Sequence, residues 1–147
     1  MTAGFAAARE WLGRFPLSIL QLGMRLGVGL VFFNAGILKF TSFEFAVKLF
    51  QEEYKLPLLD PAVAARMATF TELTFPVLLF LGLASRLATL PILGQILVIQ
   101  IFVYPNAWND HVLWGSVLLF ILTRGPGALS LDYLIERYFA KRQQPVF

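Results

Sequence analysis

The 147 residues include no cysteine and a single histidine, His111. The first absence excludes a disulfide framework, a thiolate metal site and dithiol redox chemistry by the chain's own atoms. The second excludes any site needing two imidazoles from one copy, bis-histidine haem ligation included. Charge is scarce too, at 14% of residues against roughly 25% in an ordinary soluble domain. There is no phosphate-cradling loop, nucleophile elbow, HExxH or ferredoxin-like cysteine spacing. The polar segments are also too short for a separate catalytic domain, so any chemistry must lie between helices or in a partner. Apolar residues fill the place of all these: 58% of the chain is hydrophobic and 15% aromatic, with a mean hydropathy of +0.70. That excludes disorder and exceeds what one small core hides from water, so the expected partner is the lipid bilayer. The formal charge of +3 reads as membrane orientation and not as nucleic-acid affinity, because the basic residues flank apolar runs.

A helix crossing a hydrocarbon core of about 30 Å needs around 20 apolar residues. Four segments meet or approach this, over residues 16–38, 61–83, 87–104 and 106–123. Pro16 suits a first helical turn, Asp60-Pro61 is a start signal, Gly82 a stop, and Pro105 ends the third run. The fourth span is the shortest, its clear apolar stretch running only from Val112 to Leu122, so it must recruit residues before it or meet a thinned bilayer. Gly23 with Gly27, and Ala84 with Ala88, form small-x-x-x-small pairs that permit close helix approach.

Between the first two spans, Thr41 and Glu44 have the spacing of a capping box. Phe43, Ala46, Val47, Phe50 and Tyr54 then recur at helical spacing opposite Glu44, Lys48, Glu52 and Lys55, which predicts a short amphipathic helix on the membrane surface. After the fourth span, Gly125-Pro126-Gly127 breaks the helix and Ser130 can cap a last one from Leu131 to Ala140. The fold class is therefore an all-α membrane protein: a four-transmembrane-helix bundle with a short interfacial helix after the first span and a short C-terminal helix, in one domain over residues 1–147. Arg9, Arg14, Arg86, Arg124, Arg137, Lys141 and Arg142 fall on one side, against Lys39, Lys48 and Lys55 on the other. That asymmetry predicts cytoplasmic N- and C-termini.

An ionisable side chain in hydrocarbon costs about 2.5 to 3.5 kcal/mol on insertion scales, so it faces a partner or water. Counted from the cytoplasmic helix ends, Arg25 lies about 12 Å along the first span and Glu72 about 16 Å along the second, which predicts that the two meet. Gln95 falls at similar depth and Lys39 lies on the Arg25 stripe, together with Gln21, Gly29, Phe32 and Gly36. The candidate buried polar site is thus Arg25, Glu72, Gln95 and Lys39. An outer polar layer draws on Arg66, Asp110 and His111, with Asn34 and Asn106 near it. For the Arg25 and Glu72 pair the alternatives are a fixing of which helices pack and a direct part in substrate, proton or quinone handling. For His111 they are an interfacial residue beside Trp108 and Asp110 and a proton shuttle or metal ligand, the last only with help from carboxylates or another chain.

Arg25, Gly29, Phe32, Gly36 and Lys39, then Glu72, then Leu81-Gly82-Leu83-Ala84-Ser85-Arg86, and finally Gly125-Pro126-Gly127-Ala128-Leu129-Ser130-Leu131-Asp132 form an ordered pattern. In order and spacing it resembles the DoxX family of small bacterial and archaeal membrane proteins. The resemblance implies a four-helix bundle in the bacterial cytoplasmic (inner) membrane and marks Arg25, Lys39, Glu72 and Arg86 as characteristic positions. It also implies association with quinone-linked oxidoreductases or oxidative-stress systems; members with a Trp108, His111, Trp114 and GPG pattern are similar to those accompanying iron oxidases that make copper-binding peptides. Phe75-Pro76 after Glu72 departs from the family's glycine-rich second helix.

These readings define three expectations. The first is a redox accessory, at most a subunit of a quinone-linked oxidoreductase, with quinone as candidate cofactor and electrons supplied by a protein partner from the same operon. The second is a membrane anchor or partner for handling a copper-binding peptide; the third is a small transporter. A homo-oligomer is compatible with each.

Overall fold

Proline and glycine, and the lengths of chain between them, set the helices of the computed structural model, which describes residues 2–142. A short exposed helix, α1 (Thr2–Gly13), comes first; no apolar periodicity announces it. Pro16 in extended conformation opens α2 (Leu17–Thr41). The Asp60 carboxylate accepts from the N–H groups of Ala62 and Val63 at 3.0 and 3.2 Å, capping α4 (Pro61–Leu81). Gly82, at φ +66°, ends α4 in the left-handed conformation that a glycine adopts without steric cost. α5 (Ser85–Val98) continues without a break into a π turn, Ile99–Val103. Tyr104 and Pro105 end it before α6 (Trp108–Arg124), and α7 (Leu131–Arg142) closes the described chain. The side chains of Lys141 and Arg142 lie outside the described ones.

Residues Phe43–Leu49 form α3, followed by a second π turn at Phe50–Tyr54. The expected apolar face is the one that packs: Phe50, Ala64 and Ala65 form a buried cluster with Phe43, Val47 and Tyr54 around it. The expected capping box does not form. Thr41 is still part of α2 and its hydroxyl donates back to the Ile37 and Leu38 carbonyls at 2.9 and 3.2 Å, while Ser42 takes the N-cap position of α3.

Three helical runs are long and apolar enough to cross a membrane: α2 with 25 residues, α4 with 21, and Ser85–Val103 with 19. Between 28% and 33% of an apolar 18-residue stretch of each is buried inside the protein, so most of their leucines and phenylalanines face outward, as lipid-solvated helices require. The fourth expected span, α6, has 17 residues, about 26 Å of helix. It packs against α5 and α2 and sends Leu118 and Ile121 into the same core as Val28, Phe32, Leu79, Ile92 and Ile96.

The α2 and α4 helices run antiparallel, and glycines set their register. A Cβ on Gly36 would stand 2.9 Å from the Glu72 Cβ, and one on Gly29 would stand 2.5 Å from the Phe80 ring. At Gly36 the missing side chain lets the helix backbones approach, the Glu72 carbonyl carbon standing 3.0 Å from that Cβ position, while Gly29 makes room for the Phe80 ring. A Cβ on Gly23 or Gly27 would meet nothing within 4 Å, so that expected small-residue pair holds no helix contact. In the other pair Ala88 is buried, while Ala84 is an exposed turn residue at φ +46°.

Candidate functional site

The inward stripe of α2 brings two separate polar centres into the bundle. The first assembles around Glu72, where Lys39 Nζ donates to both carboxylate oxygens at 2.9 and 2.8 Å and Gln95 Nε2 donates to Oε1 at 2.6 Å. Three helices thus supply one nearly buried ion pair, with the Lys39 side chain 14% and the Glu72 side chain 4% exposed. A carboxylate accepting from an ammonium and an amide is ionised, which fixes the Gln95 amide with its nitrogen toward Glu72. Gln95 Oε1 is consequently left buried with no donor among the described residues. Lys39 has three N–H groups and spends two on Glu72, keeping one in reserve.

Arg25 does not join them. Its Nη1 donates to the carbonyls of Leu79 and Phe80 at 2.9 and 3.5 Å, and its Nη2 donates to the Leu129 carbonyl. The guanidinium closes the C-terminal end of α4, where unpaired carbonyls and the helix dipole favour a cation. The expected Arg25 and Glu72 pair fails because the helix ends are not flush. The first turns of α2 reach past the α4–α5 turn, and the 125–130 loop fills that step: Gln21 donates to the Gly125 carbonyl at 3.1 Å, and Ala128 donates to Ser18 Oγ at 3.2 Å. Arg25 is therefore level with Gly82, whose Cβ would collide with it, and about 10 Å of helix separates Leu79 from Glu72.

The outer layer expected from Arg66, Asp110 and His111 is also divided. Arg66 is exposed and stands 6.0 Å from the Phe43 ring, and Asp110 is exposed. His111 is buried, with Nδ1 2.6 Å from Gln100 Oε1, while Gln100 Nε2 donates to the Pro105 carbonyl at 2.7 Å. The π turn through Gln100 carries that amide to the start of α6, and the histidine is held there. Asn34 and Asn106 are exposed. Arg86 lies at the other end of the bundle, against Gly125.

The Lys39, Glu72 and Gln95 cluster forms the polar end of an apolar cleft of about 350 Å³ between α4 and α5, roofed by the π turn after α3 and by Leu56 and Leu59. Ala68 and Thr71 of α4 and Pro91, Gly94 and Val98 of α5 line its walls. Such a volume lies within the range of small-molecule sites, which pair apolar walls with a few converging polar groups. Nothing stands within 4 Å of a Cβ position on Gly94, so this glycine keeps the cleft wide.

At the opposite end of the cleft stand Tyr54 and Tyr104, with ring centroids 5.8 Å apart. The Tyr104 hydroxyl donates to Glu53 at 2.6 Å. Each π turn places its tyrosine: Lys55 N–H bonds Phe50 and Tyr104 N–H bonds Ile99, both five residues back, at 3.0 and 2.8 Å. Burial pushes the Tyr54 phenol up, and the Glu53 carboxylate that accepts its proton holds Tyr104 well above the usual phenol range. Sequence reasoning missed this tyrosine and glutamate mouth, because Tyr54 and Tyr104 are 50 positions apart and each looks like an ordinary interfacial aromatic.

Comparison with curated proteins gives no match, and comparison with solved structures gives none. The DoxX family model matches residues 20–105, which include most of α2, all of α4 and α5, and all three members of the Glu72 cluster. Matched over more than half of its length, the chain belongs to the DoxX family.

Proposed function

We propose that this DoxX-family membrane protein binds an isoprenoid quinone in the cleft between α4 and α5 and acts as an accessory subunit of a membrane redox or stress-response system. The observation that carries the reading is the pairing, at one end of an apolar cleft, of a lysine with a spare N–H and a glutamine with a spare acceptor. A quinone oxygen accepts from Lys39, and a quinol hydroxyl donates to Gln95 Oε1, so the two oxidation states of the head are served by one cluster. Glu72 holds Lys39 and Gln95 in place through the bonds already described, and the isoprenoid tail lies among Val98, Met67 and the lipid beyond. Arg25 and His111 take no part, since both are occupied away from the cleft. Electrons come from a protein partner, because the chain has no cysteine and one histidine. In this reading α6 is the fourth span of a bundle in the bacterial inner membrane, with cytoplasmic termini.

The test is the quinone content of the full chain purified in detergent. Wild-type protein is expected to retain quinone extractable in organic solvent, and Gly94→Leu, which fills the cleft without touching the polar cluster, to lose it. Equal quinone in the two proteins, or none in wild type reconstituted with excess quinone, removes the proposal.

A further inference from the structure

At the end of the bundle away from the tyrosine mouth, a second cavity of about 300 Å³ lies between the first turn of α5, the 125–130 loop and the first turns of α7. Arg86 and Arg124 line it from two helices, and neither guanidinium has a hydrogen-bond acceptor or carboxylate partner among the described residues. Arg86 is seated: its Nη2, Nε and Cζ stand 3.3, 3.5 and 3.8 Å from the Cβ position of Gly125. At φ +82° that residue favours glycine, and any side chain there would press on the guanidinium.

Two carboxylates also reach the cavity. Asp132 is engaged, its Oδ1 and Oδ2 accepting from the N–H groups of Ala84 and Ser85 at 2.7 and 2.9 Å. Glu136 is exposed one helical turn further along α7. The position along the bundle decides what meets these arginines. Ser85 begins a run of 19 residues apolar enough to cross a membrane, so Arg86 stands where hydrocarbon gives way to headgroups. Leu87 beside it and Leu129 within the loop are 69% and 52% exposed, offering apolar surface next to the charges.

We propose that this cavity binds a phosphate group, that of an anionic phospholipid. Arg86 and Arg124 donate to its non-bridging oxygens, a geometry that the guanidinium fork suits better than a lysine point charge. The acyl chains run down past Leu87, and basic pockets at helix ends are known to hold such headgroups. The site is independent of what the cleft holds.

Native mass spectrometry of the full chain in detergent, titrated with dioleoylphosphatidylglycerol or dioleoylphosphatidylcholine, tests it. Wild type is expected to retain the phosphatidylglycerol in about tenfold preference, and the Arg86→Gln, Arg124→Gln double variant to lose most of that preference. Glu136→Gln, which removes a like charge from the rim, should raise retention, while Arg137→Gln, which removes an arginine charge outside the cavity, should leave it unchanged. Displacement of the lipid by millimolar inorganic phosphate would keep the phosphate chemistry and make free phosphate its source. Equal retention of both lipids by wild type, or an unchanged preference in the double variant, overturns the proposal.

Discussion

Arg25 of α2 donates to the carbonyl of Leu79 in α4 at 2.9 Å, so the fully buried charge of the first long helix acts as the cap of the second. Arg25→Met takes this donor from the Leu79, Phe80 and Leu129 carbonyls; Leu79 keeps the Gly82 N–H at 3.1 Å, and each buried carbonyl left with no donor costs about 1 to 3 kcal/mol. Thermal unfolding in detergent, followed by tryptophan fluorescence, should show a clear loss, and the 125–130 loop should become cleavable by added protease. Because Arg25 and Glu72 belong to different centres, Arg25→Met and Glu72→Gln should combine additively, within about 0.5 kcal/mol. A coupling of several kcal/mol would restore the direct pair.

Lys39 and Glu72 answer to a different cycle. Breaking a buried pair on one side strands a charge and costs about 3 to 5 kcal/mol, whereas removing both charges together costs far less. Lys39→Met alone is therefore expected to destabilise strongly, and Lys39→Met with Glu72→Leu to recover most of the loss. If the double variant loses as much stability as the two single variants added together, the pair is not coupled as the 2.8 Å contact requires.

Gly36 and Gly27 lie on the same helix and should respond in opposite directions. A methyl group at Gly36 meets the Glu72 Cβ at 2.9 Å, and overpacking of this kind costs about 1 to 3 kcal/mol. Gly27 has open space, and alanine there gains up to about 1 kcal/mol of helix propensity on soluble-peptide scales. Melting temperatures of Gly36→Ala and Gly27→Ala on either side of wild type are the expected result; equal values contradict the α2–α4 contact.

The tyrosine mouth predicts a pH dependence. Both phenols are raised from 10.0, so the folded state favours their neutral forms; that stability is fully present below pH 10 and is lost as pH rises through the folded values. The difference in tyrosinate absorbance between wild type and Tyr104→Phe should develop only above pH 10, and Glu53→Gln should move its onset down. An onset below pH 10 in wild type removes the Glu53 and Tyr104 contact from the folded state.

Much of the bundle is legible in residue order. Asp60-Pro61, Gly82 and Pro105 mark helix limits that the structure keeps, and Gln21, Arg25, Gly29, Phe32 and Gly36 are all buried along the stripe that their spacing marks. Ser130 accepts from the Tyr133 N–H at 3.2 Å, as its position before an apolar run predicts. The N-terminal start of α5 is less legible. Ala84 has no side chain to cap it, and the acceptor comes from Asp132, 48 residues further on.

What the sequence determined by itself is local: where hydrocarbon-length helices begin and end, which face of each turns inward, and that the charges on those faces need partners. Those follow from rise per residue, side-chain periodicity and the cost of bare charge in an apolar medium. Tertiary structure alone decided which partner each charge takes. Two antiparallel helices can slide past one another without changing either pattern, and the slide stops where Gly36 meets the Glu72 backbone and Gly29 receives the Phe80 ring. That stop carries Lys39 to Glu72, delivers Arg25 to the end of α4, and leaves room beside Gly94 for the cleft.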